Sequence, residues 1–96
     1  MNPLKLIIAG SRTITNAPAV RMRIDRLRTQ LKLEVSEIIS GTAVGPDKIG
    51  ETYADIYGIP ITRMPANWNK HGKAAGPIRN REMAEYGDIA IVFWDA

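Results

Sequence analysis

The stretch "VSEIISGTAVGPDKIGETYADIYGIPITRM", residues 35–64, changes its hydrophobic period twice, and those changes decide the fold. "VSEIIS" (35–40) is a short run with apolar, β-branched residues, the pattern of a strand. Gly41 and Gly45 then bracket a loop, and Pro46-Asp47 stands where a helix can begin. From there Ile49, Tyr53 and Ile56 recur at helical spacing as an inner stripe, and Gly58 stops the helix. "IPITRM" (59–64) is a second short strand. A strand, a helix and a strand joined by such short connections form a crossover between parallel neighbours.

The flanking sequence repeats this alternation. "LKLIIA" (4–9), ending at Gly10, is continuously apolar, as a strand buried on both faces should be. Asn16 can cap a following helix, with Pro18 in its first turn and Val20, Ile24, Leu27 and Leu31 along its inner side. After a polar segment containing Trp68, "GPIRNREMAEYG" (76–87) reads as a helix begun by Pro77 and ended by Gly87. "DIAIVFW" (88–94) is the last and most apolar strand. The pattern predicts an α/β, three-layer Rossmann-like domain whose mainly parallel sheet has about four strands in the order 3-2-1-4. Ligands of such sheets lie beyond the carboxyl ends of the strands where the order reverses, here between the first and fourth strands. The loops that meet there are Gly10 to Arg12, Gly41 to Asp47, and the residues around Trp94 and Asp95.

Ninety-six residues suit a single domain, 1–96. With 45% apolar and 24% charged residues the chain has the composition of a folded globular protein. A net charge of +3 and a pI of about 9.5 favour anionic partners. Four arginines, Arg21, Arg23, Arg26 and Arg28, fall in the first helix; they read as a solvated face or as a nucleic-acid surface. The absence of cysteine excludes disulfides, thiolate metal sites and cysteine nucleophiles. With His71 as the only histidine, conventional zinc sites and histidine-based triads lack their parts. "MNPLKLIIAG" does not read as a secretory signal and "IAIVFW" is too short to span a bilayer, so a cytoplasmic protein without a membrane partner is expected.

Candidate site residues follow from the loops. Gly10 lets the backbone approach a ligand, and Ser11 and Arg12 offer a hydroxyl and a guanidinium suited to phosphate. In "SGTAVGPD", Gly41, Thr42, Ala43 and Gly45 can present backbone N–H groups near a helix start, where anions are favoured. Asp47 either complements the helix dipole or accepts from a ribose. Glu51 is read as a solvated residue or a catalytic base. Arg79, Asn80 and Arg81 near the start of the Pro77 helix form either an anion clamp or ion pairs with Glu82 and Glu85. Trp68, in a polar loop, stacks on a base or folds onto the sheet edge.

Taken together, "IIAGSRTITN", "ISGTAVGPDKIGETYADIYGIP", "ANWNKHGKAAGPIRNREMAEYGD" and "VFWDA" resemble the YspA-like family of the SLOG superfamily, related to DprA-type and LOG-type proteins. The resemblance implies a fold that binds nucleotide ligands and senses or processes NAD-derived, ADP-ribose-like or cyclic nucleotide signals, often in conflicts between bacteria and phages. Where that family has a pattern like SGGARGAD, this chain has Thr42 for a glycine and Val44 for an arginine. The family also continues beyond "FWD" with a helix and a strand that this sequence lacks, and the PGGxGT-x-x-E pattern of the phosphoribohydrolases is missing.

The expected function is therefore non-catalytic capture of a nucleotide-derived small molecule, as a sensor or as a sponge that sequesters an immune signal, with no cofactor or metal. Asp95 joins the expected ligand-binding set. The enzyme alternative is hydrolysis of a nucleotide with Glu51, Asp47 or Asp95 as base. Nucleic-acid binding is the third reading. The unpaired apolar edge of the last strand predicts a homo-oligomer, formed through that strand or the Pro77 helix.

Overall fold

The structure, a computed structural model, describes residues 3–94. Four strands, β1 (Leu4–Gly10), β2 (Val35–Ser40), β3 (Ile61–Arg63) and β4 (Ile89–Phe93), form one sheet in the order β3-β2-β1-β4. Each pair is parallel. Helices α1 (Ala17–Leu31), α2 (Pro46–Tyr57), α3 (Trp68–His71) and α4 (Ala75–Tyr86) occupy the connections. This is the predicted α/β architecture with the predicted strand order.

Local chemistry explains the boundaries. The Asn16 side chain accepts from the Ala19 N–H (3.2 Å), satisfying one of the free donors at the start of α1. Pro46 opens α2, and Gly58, at φ +66°, ends it in a left-handed turn whose N–H returns to Ala54 and Asp55. Helix α4 begins at Ala75, two residues before Pro77, out of a 3₁₀ turn at Gly72–Ala74. Proline is tolerated there because the first-turn N–H groups need no helical partner. Arg79 consequently lies beyond the first turn, and the dipole argument made from its place in the sequence lapses. The polar segment around Trp68 folds into the single turn α3, capped by the Asn67 side chain on Lys70 N–H (3.1 Å).

The two faces of the sheet are unequal. On one, Leu6, Ile8 and Ile38 meet Val20 and Ile24 of α1 and Ile49, Tyr53 and Ala54 of α2. Ile56 and Leu31, expected on the inner stripes, are exposed instead. Gly50 takes part of the inner surface of α2, where a Cβ would stand 2.9 Å from that of Ile8. A polar latch joins α1 to α2. The Tyr53 and Tyr57 hydroxyls each donate to Asp25 at 2.7 Å, and Arg28 donates to Tyr53 at 2.8 Å. Burial and the Asp25 bond push the Tyr53 phenol up to about 12. The latch uses the Arg28 guanidinium, removing one cation from the arginine-rich surface.

On the opposite face the buried cluster among the described residues is Ile7, Ile39 and Met83, with Ala9 and Met64 beside it. Helix α4 is the cover, and it leaves part of the sheet bare near β4. Among the described residues no helix is long and apolar enough to cross a membrane.

Candidate functional site

The carboxyl ends of β1 and β4 are pressed together at Gly10. A Cβ there would overlap the Phe93 carbonyl oxygen and lie 3.0 Å from Phe93 N and Cβ. Ser11 N–H donates to that carbonyl (3.0 Å), and Ile14 N–H returns to the Ser11 carbonyl (3.1 Å), so the chain turns tightly. The Ser11 and Thr13 hydroxyls share a bond of 2.8 Å. Arg12 projects into solvent; among the described residues its guanidinium has no hydrogen bond or ion pair.

The loop between β2 and α2 packs directly onto this turn. Gly45, at φ +95°, occupies a conformation other residues rarely adopt, and a Cβ would stand 2.9 Å from the Ser11 carbonyl oxygen. Thr42 is also left-handed, at φ +66°, a conformation that glycine adopts more readily than threonine. Two of the loop amides are turned inward. Thr42 N–H donates to Ser40 Oγ (3.0 Å) and Ala43 N–H to Asp47 Oδ2 (3.3 Å). The loop thus forms a rigid wall in which these two donors are already paired.

Glu51 supports that wall from beneath. It is 7% exposed, accepts from the Ser40 hydroxyl (2.6 Å) and Arg63 Nε (2.9 Å), and lies 3.6 Å from Lys48 Nζ. Burial alone would raise its pKa, yet the Ser40 and Arg63 hydrogen bonds and the Lys48 charge hold it below the ordinary value. The expectation of a solvated Glu51 is therefore corrected. Its carboxylate is a buried structural anchor, fully occupied by Ser40 and cations.

Asp47 and Arg79 face each other across Gly41, where a Cβ would stand 2.6 Å from Asp47 Oδ2 and 2.7 Å from Arg79 Nη1. Arg79 Nη1 donates to the Gly41 carbonyl, and its Nε donates to Asn80 Oδ1 (2.9 Å). Burial raises the Asp47 pKa above its usual value, and the Ala43 N–H and the Arg79 charge only partly oppose this.

These elements surround an open cavity of about 670 Å³. It collects Gly10, Ser11 and Arg12 from β1 and its turn, Ala43 and Asp47 from the second loop, and Arg79 and Asn80 from α4. Gly41, Thr42 and Gly45 stand behind this wall. Trp68 lines a separate depression with Pro65 and Asn67, Arg81 is exposed on α4 away from the cavity, and Asp95 lies outside the described residues. Trp94, placed at this crevice by the sequence reading, lines the cavity; the reading missed Ile7 and Ala9 on β1, Met83 and Ala84 on α4, and Ala90 and Val92 on β4, which complete the lining. For the two on β4 the signal was a period of two within "IAIVFW". Because both alternating sets are apolar, the segment reads as a wholly buried strand. Among the described residues no group of three His, Asp or Glu side chains gathers as a metal ion would require.

A parallel α/β sheet that opens a cavity beyond the carboxyl ends of adjacent strands, beside the reversal of strand order, defines a Rossmann-like ligand-binding domain. Within that class the chain belongs to the YspA, cpYpsA-related SLOG family, whose sequence model matches residues 4–71, from β1 through α3. No curated protein and no solved structure shows significant similarity to it.

Proposed function

We propose that this domain binds an anionic, nucleotide-derived small molecule of the ADP-ribose-like, NAD-derived or cyclic nucleotide kind and holds it without turnover. The observation that carries the reading is Arg12. It is a guanidinium free of partners among the described residues, beside the Ser11 hydroxyl at the mouth of a cavity within the usual size range of ligand pockets. Asn80 lines the same mouth, and Arg79, though bonded to Gly41, adds a second positive charge to it. Phosphate bound by two guanidinium groups at one rim is a strong, charge-assisted arrangement. Binding without chemistry suits a sensor or a sequestering protein.

The specific observation favouring a second reading, hydrolysis, is Asp47. This cavity-lining carboxylate has its pKa raised by burial, as a general base or acid requires. Thermal-shift measurements with ADP-ribose, NAD, cyclic ADP-ribose isomers and cyclic dinucleotides, followed by heat release and analysis of the bound compound, separate the two. Recovery of the intact compound is the expected result, whereas a cleaved product replaces capture with catalysis. Arg12→Ala should abolish the ligand-induced shift and leave the melting temperature of the free protein unchanged. A loss of several degrees in the free protein would make Arg12 structural and remove the basis of the proposal.

A further inference from the structure

The cavity is chemically divided, and the division specifies more than an anion site. Its lining combines polar side chains, Ser11, Arg12, Asp47, Arg79 and Asn80, with an apolar strip that runs up β4 to Trp94 beside them. Strand alternation creates the apolar strip. Ile89, Ile91 and Phe93 pack toward the main core, while Ala90, Val92 and Trp94 line the cavity on the opposite face. Val92 is 44% exposed and Trp94 is 82% exposed. The indole is thus free to receive a ring at the mouth of the same cavity that holds the Ser11 hydroxyl and the Arg12 guanidinium.

We propose that this strip is the subsite for the planar base of the bound nucleotide, with Trp94 as its stacking platform. The inference rests on the nucleotide reading above. Ala9 and Ala90 are register neighbours of Val92 and Ile7, so small side chains keep this part of the floor flat enough for a ring system. Met83 of α4 forms the facing wall. The placement also fits. Gly10 pairs with Phe93, and Ser11 N–H is bonded to the Phe93 carbonyl, so Trp94 follows β4 beside the turn that carries Ser11 and Arg12, and all three line the same cavity. A base on Trp94 therefore leaves its own phosphate within reach of Arg12. Trp68, the other tryptophan, belongs to a different depression.

Trp68→Phe leaves Trp94 as the sole tryptophan and makes its fluorescence a direct reporter. This variant is titrated with ADP, GDP, CDP and UDP, and with ribose 5-phosphate, which has the sugar and phosphate but no base. At least one nucleoside diphosphate should quench Trp94 and bind about tenfold or more tightly than ribose 5-phosphate. Measured by calorimetry, since these variants hold no tryptophan, adding Trp94→Ala should abolish that advantage, Trp94→Phe should restore most of it, and neither should alter ribose 5-phosphate binding. If ribose 5-phosphate binds as tightly as every nucleoside diphosphate, the base subsite is refuted while the anion site stands. If no compound binds, both fall. A ligand-free dimer that Trp94→Ala abolishes would mean that a second copy covers the strip, and this too overturns the subsite, whereas pairing through the outer edge of β4 leaves that face open.

Discussion

Replacing Glu51 decides between a supporting and a chemical role for the one buried carboxylate held by two cations. In Glu51→Ala the Ser40 hydroxyl loses its 2.6 Å acceptor and keeps only the Asp47 carbonyl at 3.3 Å. A buried hydrogen bond to a charged group contributes about 1.5–3 kcal/mol. The Arg63 pair adds little, because that side chain is 55% exposed and rehydrates when freed; pairs of this kind contribute about 0.2–1 kcal/mol. The expected loss is therefore about 2–3 kcal/mol, or roughly 10–20 °C in melting temperature for a domain of this size. The pH dependence has a definite sign. Glu51 has a lowered pKa, so its contribution is fully present above the ordinary value of 4.5 and disappears as pH falls through the folded value. Thermal denaturation of wild type and variant, stepped from neutral to strongly acidic pH, should show a gap that narrows below that point. Equal melting temperatures at neutral pH, combined with loss of a measured turnover, would refute the structural role and restore Glu51 as a catalytic group.

Other perturbations test the remaining geometry. Asp47→Asn should raise the melting temperature at neutral pH, because a carboxylate with a burial-raised pKa opposes folding once ionised; a fall in melting temperature would contradict this. Gly10→Ala should cost about 2 kcal/mol or more, since its Cβ must displace the Phe93 backbone and part β1 from β4; wild-type stability in urea denaturation would disprove the close approach. We propose self-association through the outer edge of β4, which has no neighbouring strand among the described residues and carries no charged residue over Ile89–Phe93; sedimentation showing a strict monomer at high micromolar concentration would exclude it.

Those parts of the fold governed by local chemistry were legible in the sequence. The Asn16 cap, Pro46, Gly58 and the apolar runs of β1 and β2 act over a few residues, and the expected boundaries agree with the structure. Features set by distant contacts were not. Glu51 has the composition of a surface residue, and only the approach of Ser40 and Arg63 from neighbouring strands makes its burial tolerable. The inward turn of the Thr42 and Ala43 amides is equally invisible locally, since it depends on Ser40 and Asp47 presenting acceptors to the loop. Period analysis placed Ile56 and Leu31 inside because it cannot tell how wide a helix face its neighbours will cover.

The unequal faces of the sheet bind these observations together. A single helix, α4, covers the Ile7 and Ile39 side, and it leaves Ala90, Val92 and Trp94 facing open space. For stability alone, water-facing positions on an edge strand favour threonine or lysine, which keep β propensity and blunt association. Val92→Thr should accordingly change folding stability by less than about 0.5 kcal/mol, because the side chain is already 44% exposed and the shape is kept. The same change puts a hydroxyl into the apolar strip of the cavity, where a base would leave it without a partner, and nucleotide affinity should fall. Calorimetry on the free protein and titration with the nucleoside diphosphate that binds best measure the two effects separately. A variant that loses stability and binds as well as wild type would show that Val92 serves the fold, and that the open strip is a packing feature with no ligand to receive.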